Sequence, residues 1–364
     1  MNYNDIRKET KQITVGGVGI GGRSRIAIQS MTNTDTLDSA KTLLQIKALA
    51  DCGCDIVRIA VPTVEAATTV KYVKESGIET PIVADIHFDY KIALECVKNG
   101  VDKIRINPGN IGADYKIREV CNACMGAGVP IRIGVNSGSL EKKILEKYGA
   151  PTPDALCESA LYHVELLEKF GFKDIVISIK TSNVPDMIAS NRKLSSLVDY
   201  PLHLGVTEAG SEINGLVKSS VGIGALLCDG IGDTVRVSLT ADPLREAEAA
   251  KRLLTAIGIE GQSGMNIVSC PTCGRTKIDL IPIVDRFERR AREEGLIDIP
   301  MTVALMGCVV NGPGEASEAD IGIAGGVGEA ALISRGKIIE KISESDIVDV
   351  LIEKIKEMKP EFTK

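Results

Sequence analysis

No apolar run in the sequence approaches the roughly 20 residues that a membrane-spanning helix needs. The start, Met1-Asn2-Tyr3-Asn4-Asp5, carries neither the basic nor the apolar region of a signal peptide. Both absences set the expectation of a cytoplasmic protein. An excess of positive charge is also missing: the formal net charge is −6, so the general electrostatic pull toward nucleic acid or an anionic membrane is absent and any anion site must be local. There is no repeat at solenoid spacing and no low-complexity tract. The glycine-rich pieces Gly16–Gly22 and Gly325–Gly328 match neither a P-loop nor a well-placed dinucleotide fingerprint and read as turns.

What is present is an ordinary globular composition, 44% hydrophobic over 364 residues, enough for one large domain and a smaller one. Eight short β-branched runs recur: Ile26–Ser30, Ile56–Val61, Pro81–Ile86, Lys103–Asn107, Ile131–Val135, Asp174–Ile179, Leu202–Val206 and Thr234–Leu239. Between them, stretches such as Thr42–Ala50, Pro153–Phe170 and Leu244–Ile257 have the apolar spacing of amphipathic helices, some opened by Pro-Thr-Pro or Asp-Pro. Eight alternations before about residue 260 predict an α/β fold, a (β/α)8 TIM barrel over 1–260, with a doubly wound sheet as the rival. The barrel is favoured because polar residues recur at the carboxyl ends of the runs, among them Arg58, Asp85, His87, Arg105, Asn107, Arg132, Asn136, Lys180, His203, Glu208, Arg236 and Ser238. After a plausible linker at Gly261-Gln262-Ser263-Gly264, a cysteine segment, a charged helix around Asp285–Glu294, short strands and a Lys/Glu-rich last helix predict a small α+β domain over 265–364.

Ten cysteines scattered irregularly do not form the dense framework of a small secreted domain, so a few are candidate ligands and most are packing. The tail holds Cys270-Pro271-Thr272-Cys273 and, downstream, Gly307-Cys308-Val309-Val310-Asn311-Gly312-Pro313-Gly314-Glu315. Two thiols three positions apart on a turn can reach one inorganic centre, and a third can close over it. Structural zinc prefers four protein ligands, whereas the tail has three cysteines and all three histidines, His87, His163 and His203, lie upstream. Three thiolates on a four-iron, four-sulfur cluster leave one iron for an oxygen ligand or a substrate. Glu315 is the candidate oxygen ligand, because Asn311-Gly312-Pro313-Gly314 can turn the chain back toward Cys308. A tight pair of buried thiols is the alternative. Cys121 and Cys124 repeat the spacing inside a helical stretch and read as packing, as do Cys52, Cys54, Cys96, Cys157 and Cys228.

In an acidic protein, Arg58, Arg105, Arg132 and Lys180 at or near strand ends would add their charges in one concave space, for which phosphate is the natural guest, with Asn107 and Asn136 as neutral donors. The competing account pairs each arginine with a barrel carboxylate such as Asp85. Glu208 would face the same mouth as acid or base, or else pair with an arginine.

The strings Ile28-Gln29-Ser30-Met31-Thr32-Asn33-Thr34-Asp35-Thr36, Val83-Ala84-Asp85-Ile86-His87-Phe88-Asp89-Tyr90, Arg105-Ile106-Asn107-Pro108-Gly109-Asn110, Arg132-Ile133-Gly134-Val135-Asn136 and Leu204-Gly205-Val206-Thr207-Glu208-Ala209-Gly210, with the two cysteine segments, occur in this order along the chain. Together they resemble the bacterial 4-hydroxy-3-methylbut-2-enyl diphosphate synthases over essentially its whole length. The resemblance implies reductive opening of 2-C-methyl-D-erythritol 2,4-cyclodiphosphate, with two electrons from reduced flavodoxin or ferredoxin. It implies a barrel followed by a cluster domain similar to half of a sulfite or nitrite reductase unit, with one 4Fe-4S cluster per subunit on Cys270, Cys273, Cys308 and Glu315. It implies diphosphate binding by Arg58, Arg105, Arg132 and Lys180 near Asn136 and Ser238, proton handling by Glu208, and a head-to-tail homodimer. Two other readings are a class I aldolase with a Lys180 Schiff base, and a phosphosugar- or pterin-binding barrel with a zinc-stapled tail.

Overall fold

Runs rich in Val and Ile form strands because a branched side chain packs well on a pleated surface, and where both faces are buried the run is nearly continuous. The computed structural model describes residues 3–259, 264–310 and 312–362. All eight runs are strands: β3 (Ala27–Met31), β4 (Ile56–Ala60), β5 (Ile82–Asp85), β6 (Lys103–Ile106), β7 (Ile131–Asn136), β8 (Ile175–Lys180), β9 (His203–Leu204) and β10 (Thr234–Val235). They follow β1 (Ile13–Val15) and β2 (Val18–Ile20), an antiparallel hairpin whose loop and second strand fall in the Gly16–Gly22 stretch expected to be turns. Its two-residue loop, Gly16-Gly17, takes positive φ at both positions, as a tight hairpin turn requires.

β3 to β10 pair in parallel, with β10 between β9 and β3, and a bridge from Ile177 to Leu202 joins β8 to β9, so the sheet closes into a barrel. Helices Ser39–Asp51, Tyr90–Lys98, Pro153–Glu168 and Val184–Leu197 are capped by Asp38, Asp89, Thr152 and Asn183, whose side chains accept from backbone N–H groups of the first turn. The Pro153 cap was legible in the sequence; proline at the first helical position needs no donor. The hairpin plugs the amino end of the barrel: Ile13, Val15 and Ile20 pack with Ala27, Ile56, Val83 and Val176, which point inward from β3, β4, β5 and β8. This unit runs from Met1 to Leu253.

The second unit, Leu254–Lys364, holds a five-stranded mixed sheet in the order β11 (Asn266–Ser269), β12 (Thr302–Met306), β13 (Ile321–Gly325), β14 (Glu329–Ser334), β15 (Lys337–Ser343). The first three strands are parallel and the last two run antiparallel. Val303 and Leu305 meet helices Leu280–Glu293 and Ile347–Phe362 through Phe287 and Leu351, while Ala304 and Met306 on the other face meet Ala316 and Ala319. Alternation along one strand thus feeds two cores. Fully burying a side chain such as Phe287 contributes about 1.5–3 kcal/mol. β15 is one of the two edge strands, and its exposed Lys337, Glu340 and Lys341 discourage further pairing. The charged helix starts at Leu280, five residues before the expected Asp285, because its first turn is apolar. Of the expected linker, residues 261–263 lie outside the described residues.

Candidate functional site

A TIM barrel is ordinarily filled by layers of Val, Ile and Leu. Here, above the apolar plug, the layers are charged. Alternation and register place Arg58, Lys103, Arg105, Arg132 and Gln29 inside: Arg58 is level with Val83, Val83 with Lys103, and Arg105 with Arg132. Lys180 closes β8 level with Asn136, and Arg236 follows β10. Among the described residues four arginines (Arg58, Arg105, Arg132 and Arg236) and two lysines (Lys103 and Lys180) therefore act on one another in a space with two carboxylates, Asp85 and Glu246.

Those two carboxylates are fully engaged. Asp85 accepts from Arg58 Nη2 at 2.5 Å and Arg105 Nη1 at 3.1 Å, and His87 Nε2 lies 3.2 Å away. Burial works against its charge, but Arg58, His87 and Arg105 together hold its carboxyl well below the usual range. Glu246 accepts from Arg236 Nε at 3.2 Å, Ser30 Oγ at 2.9 Å and Leu239 N at 3.1 Å. The pairing account thus holds for Arg58 and Arg105 but not for Arg132 and Lys180. Among the described residues Arg132 has only a long contact, 3.5 Å, to Gln29 Oε1 across the barrel. Lys180 faces Gly205, where a Cβ would stand 2.6 Å from Nζ.

Several positions differ from expectation. Arg132 is the second residue of β7 and His203 the first of β9, so both lie deep in the barrel rather than at its mouth. A strand-end reading fails there because each stands second in its run, at the amino side of the strand. His203 Nδ1 lies 2.7 Å from Thr234 Oγ1, and burial followed by Arg132 and Lys180 lowers its pKa well below the ordinary value. Asn107 spends its side-chain oxygen on Gly109 N at 3.1 Å, starting the turn Pro108–Ile111. With its amide turned to suit its neighbours, Asn136 accepts from Arg105 Nη2 at 3.1 Å. Ser238 is half-buried in the segment after β10.

Burial lowers the pKa of Arg58 to about 10 against the opposing pull of Asp85, and lowers those of Arg132, Lys103 and Lys180 well below their usual values, with neighbouring arginines adding to it. An arginine starts so high that it keeps its proton under such a shift, whereas a lysine starts lower and is the group that can be switched. Lys103 was absent from the expected site, and Arg236, expected at a strand end, carried no assigned role. The period of two could have found Lys103, since it shares a face with Arg105.

Glu208 is exposed in the segment after β9 with φ +51°. Arg335, the other described non-glycine at positive φ, sits in the β14–β15 hairpin turn beside Gly336, where such a conformation is routine. Glu208 has no hairpin to explain it, and backbone strain of this kind gathers at functional positions.

In the second unit, β11 and β12 are parallel neighbours, so the residues that follow them, Cys270 and Gly307-Cys308, emerge at one carboxyl edge. Gly307 N donates to Cys270 Sγ at 3.3 Å and Lys277 N to Gly307 O at 2.8 Å, which zips the two cysteine segments together. Hydrogen bonds from the backbone and side chain of Arg275 hold the exposed Cys273 thiol below its ordinary pKa, favouring thiolate. Glu315 is exposed in the short helix Gly312–Ser317 after this loop, and Asn311 lies outside the described residues. Among the described residues no group of three or more His, Cys, Asp or Glu closes around one point as a lone metal ion would need. An iron–sulfur cube is anchored at its corners and takes more widely spaced thiols.

The other cysteines separate. Cys121 and Cys124 are buried in the helix Asp114–Ala127, burial pushing the first thiol up to about 12 and the second higher. Cys54, Cys96 and Cys157 are also buried and raised, to about 12, 12 and 11. Cys228 is exposed, so the packing expectation fails there: it ends its helix, one residue past the buried Leu227.

Residues 10–251 match the family model described as GcpE TIM-barrel domain, and residues 266–357 match GcpE protein C-terminal domain. A curated relative from Caldanaerobacter subterraneus subsp. tengcongensis, 4-hydroxy-3-methylbut-2-en-1-yl diphosphate synthase (flavodoxin), is 55% identical over 97% of this chain and 98% of its own. One of the same name from Clostridium perfringens is 56% identical over 95% and 98%. Among solved structures, dihydropteroate synthase from Stenotrophomonas maltophilia superposes with a TM-score of 0.50 at 15% identity, over 69% of this chain and 99% of its own, a likeness of barrel fold alone.

Proposed function

The chain belongs to the GcpE family, and from that premise we propose that it reductively opens 2-C-methyl-D-erythritol 2,4-cyclodiphosphate to 4-hydroxy-3-methylbut-2-enyl diphosphate, the product that the name of its relatives gives together with flavodoxin. The observation that carries this reading is the excess of cations in the barrel interior, which a diphosphate would balance. Lys180 and the deeper Arg132, which no carboxylate contacts among the described residues, are left to bind phosphate oxygens. Arg58 and Arg105 are aimed by Asp85 and can share their remaining donors with the substrate, because a guanidinium carries five. Asn136 keeps Arg105 in place, and Ser238 adds a hydroxyl. Glu208, exposed in the segment after β9, gives or takes the proton that accompanies loss of water.

Cys270, Cys273 and Cys308 suit a 4Fe-4S cluster, with Glu315 as the oxygen ligand. Bound there, the cluster would supply the two electrons one at a time and an iron open to oxygen. Reduced flavodoxin or ferredoxin is the donor, and the cytoplasm, which keeps thiols reduced, is the setting. The working unit is a head-to-tail homodimer, the cluster unit of one copy serving the barrel of the other. Lys180, buried and with a lowered pKa, would also suit Schiff-base chemistry, but the flavodoxin in the relatives' name favours electron transfer.

Protein purified without oxygen should be coloured, hold about four irons and four acid-labile sulfides per chain, and turn over the cyclic diphosphate with reduced flavodoxin. Colourless protein that stays free of sulfide after reconstitution would overturn the reading.

A further inference from the structure

Lys103 is the first residue of β6, fully buried, and among the described residues its Nζ has no hydrogen-bond partner. It shares an inward face with Arg105, two residues on. The charged and titratable groups that face it are Arg132 from β7, Arg58 from β4 and His203 from β9; its register neighbour on β5 is Val83, part of the apolar plug. No carboxylate is among them. An ammonium held there would be desolvated, unbonded and repelled from two sides.

We propose that Lys103 is a proton-coupled anchor for the anionic substrate, taking a proton from solvent as the diphosphate enters so that binding and protonation are one event. The inference rests on the reading that this interior holds a diphosphate. Before the anion arrives Lys103 is the neutral amine, the state that burial and the neighbouring cations favour. Phosphate oxygens drawn in by Arg58 and Arg132 reverse the sign of the local field, and the amine then binds a proton. Arginine cannot serve in this way, because it never gives its proton up; lysine can be switched.

Calorimetric titration of the full-length, anaerobically purified protein with inorganic pyrophosphate, at one pH in two buffers of unlike ionisation enthalpy, counts the protons taken up. Lys103→Met should take up about one proton fewer per barrel than the unaltered chain. Its affinity for pyrophosphate should fall, while its melting temperature without pyrophosphate stays level or rises, since a buried amine has been removed. Lys103→Gln provides the same comparison should the methionine variant fold poorly. Equal proton counts in parent and variants would overturn the proposal while leaving the diphosphate site standing. Failure of pyrophosphate to bind the parent at all would overturn both.

Discussion

Gly134 offers a direct test of the barrel interior. It lies in β7 facing inward, and a Cβ there would stand 2.3 Å from Arg105 Nε and 2.6 Å from Nη2, both far inside contact distance. Its φ is not in the left-handed region, so the backbone accepts alanine. Overpacking a core typically costs about 1–3 kcal/mol. The colliding atoms belong to the movable end of a long side chain, so Gly134→Ala should lose stability at the lower end of that range and displace the guanidinium. The displaced Arg105 loses its 3.1 Å bond to Asp85 and its place beside a phosphate oxygen. One charge-assisted hydrogen bond is worth about 1.5–3 kcal/mol, which converts to roughly ten- to a hundredfold in kcat/KM. Turnover of the cyclic diphosphate with reduced flavodoxin would measure the kinetic change, and urea denaturation the stability change. Gly138→Ala is the control, because a Cβ at Gly138 meets nothing within 4 Å. A Gly134→Ala enzyme with unaltered kcat/KM would refute the placement of Arg105 in the binding machinery.

Three further outcomes follow from the same geometry. The depressed carboxyl of Asp85 contributes stability at pH above its unfolded value of about 3.9 that is lost as pH falls through its lower folded value. Asp85→Asn should flatten this acid limb in melting curves and, by leaving Arg58 and Arg105 without their counter-ion, destabilise the chain at pH 7 by about 3–5 kcal/mol; an unchanged acid limb would contradict the assignment. Glu208→Gln keeps the strained backbone and removes the proton carrier, so kcat should fall by about 10²–10⁴ with stability and iron content unchanged; full turnover would remove Glu208 from the chemistry. Refolding an equal mixture of inactive Cys308→Ala and Lys180→Ala chains should restore about a quarter of parental activity if the two half-sites meet across a head-to-tail dimer, whereas no recovery would place both halves in one chain.

The sequence by itself determined the order of elements, because strand and helix signals are local: β-branched runs, capping Asp, Asn and Thr, and proline at first helical positions act within a few residues. It also marked the cysteine segments, since ligand spacing on a turn is a short-range property. Only the tertiary structure decided what those elements do together. Which of Lys103, Arg105 and Arg132 face one another depends on the register of three strands around a closed sheet, and a one-residue slip would send each to the opposite face. The Gly16-Gly17 hairpin becomes a plug only when four strands of the closed barrel present it with Ala27, Ile56, Val83 and Val176. β9 and β10 pair over two residues each, shorter than their apolar runs suggest, because barrel curvature and closure limit pairing where the local pattern would continue. Burial likewise separates Cys121 and Cys124 from the identically spaced Cys270 and Cys273. The spacing is the same, but a thiol's chemistry is set by the solvent and charges around it, and those are assembled only when distant parts of the chain pack.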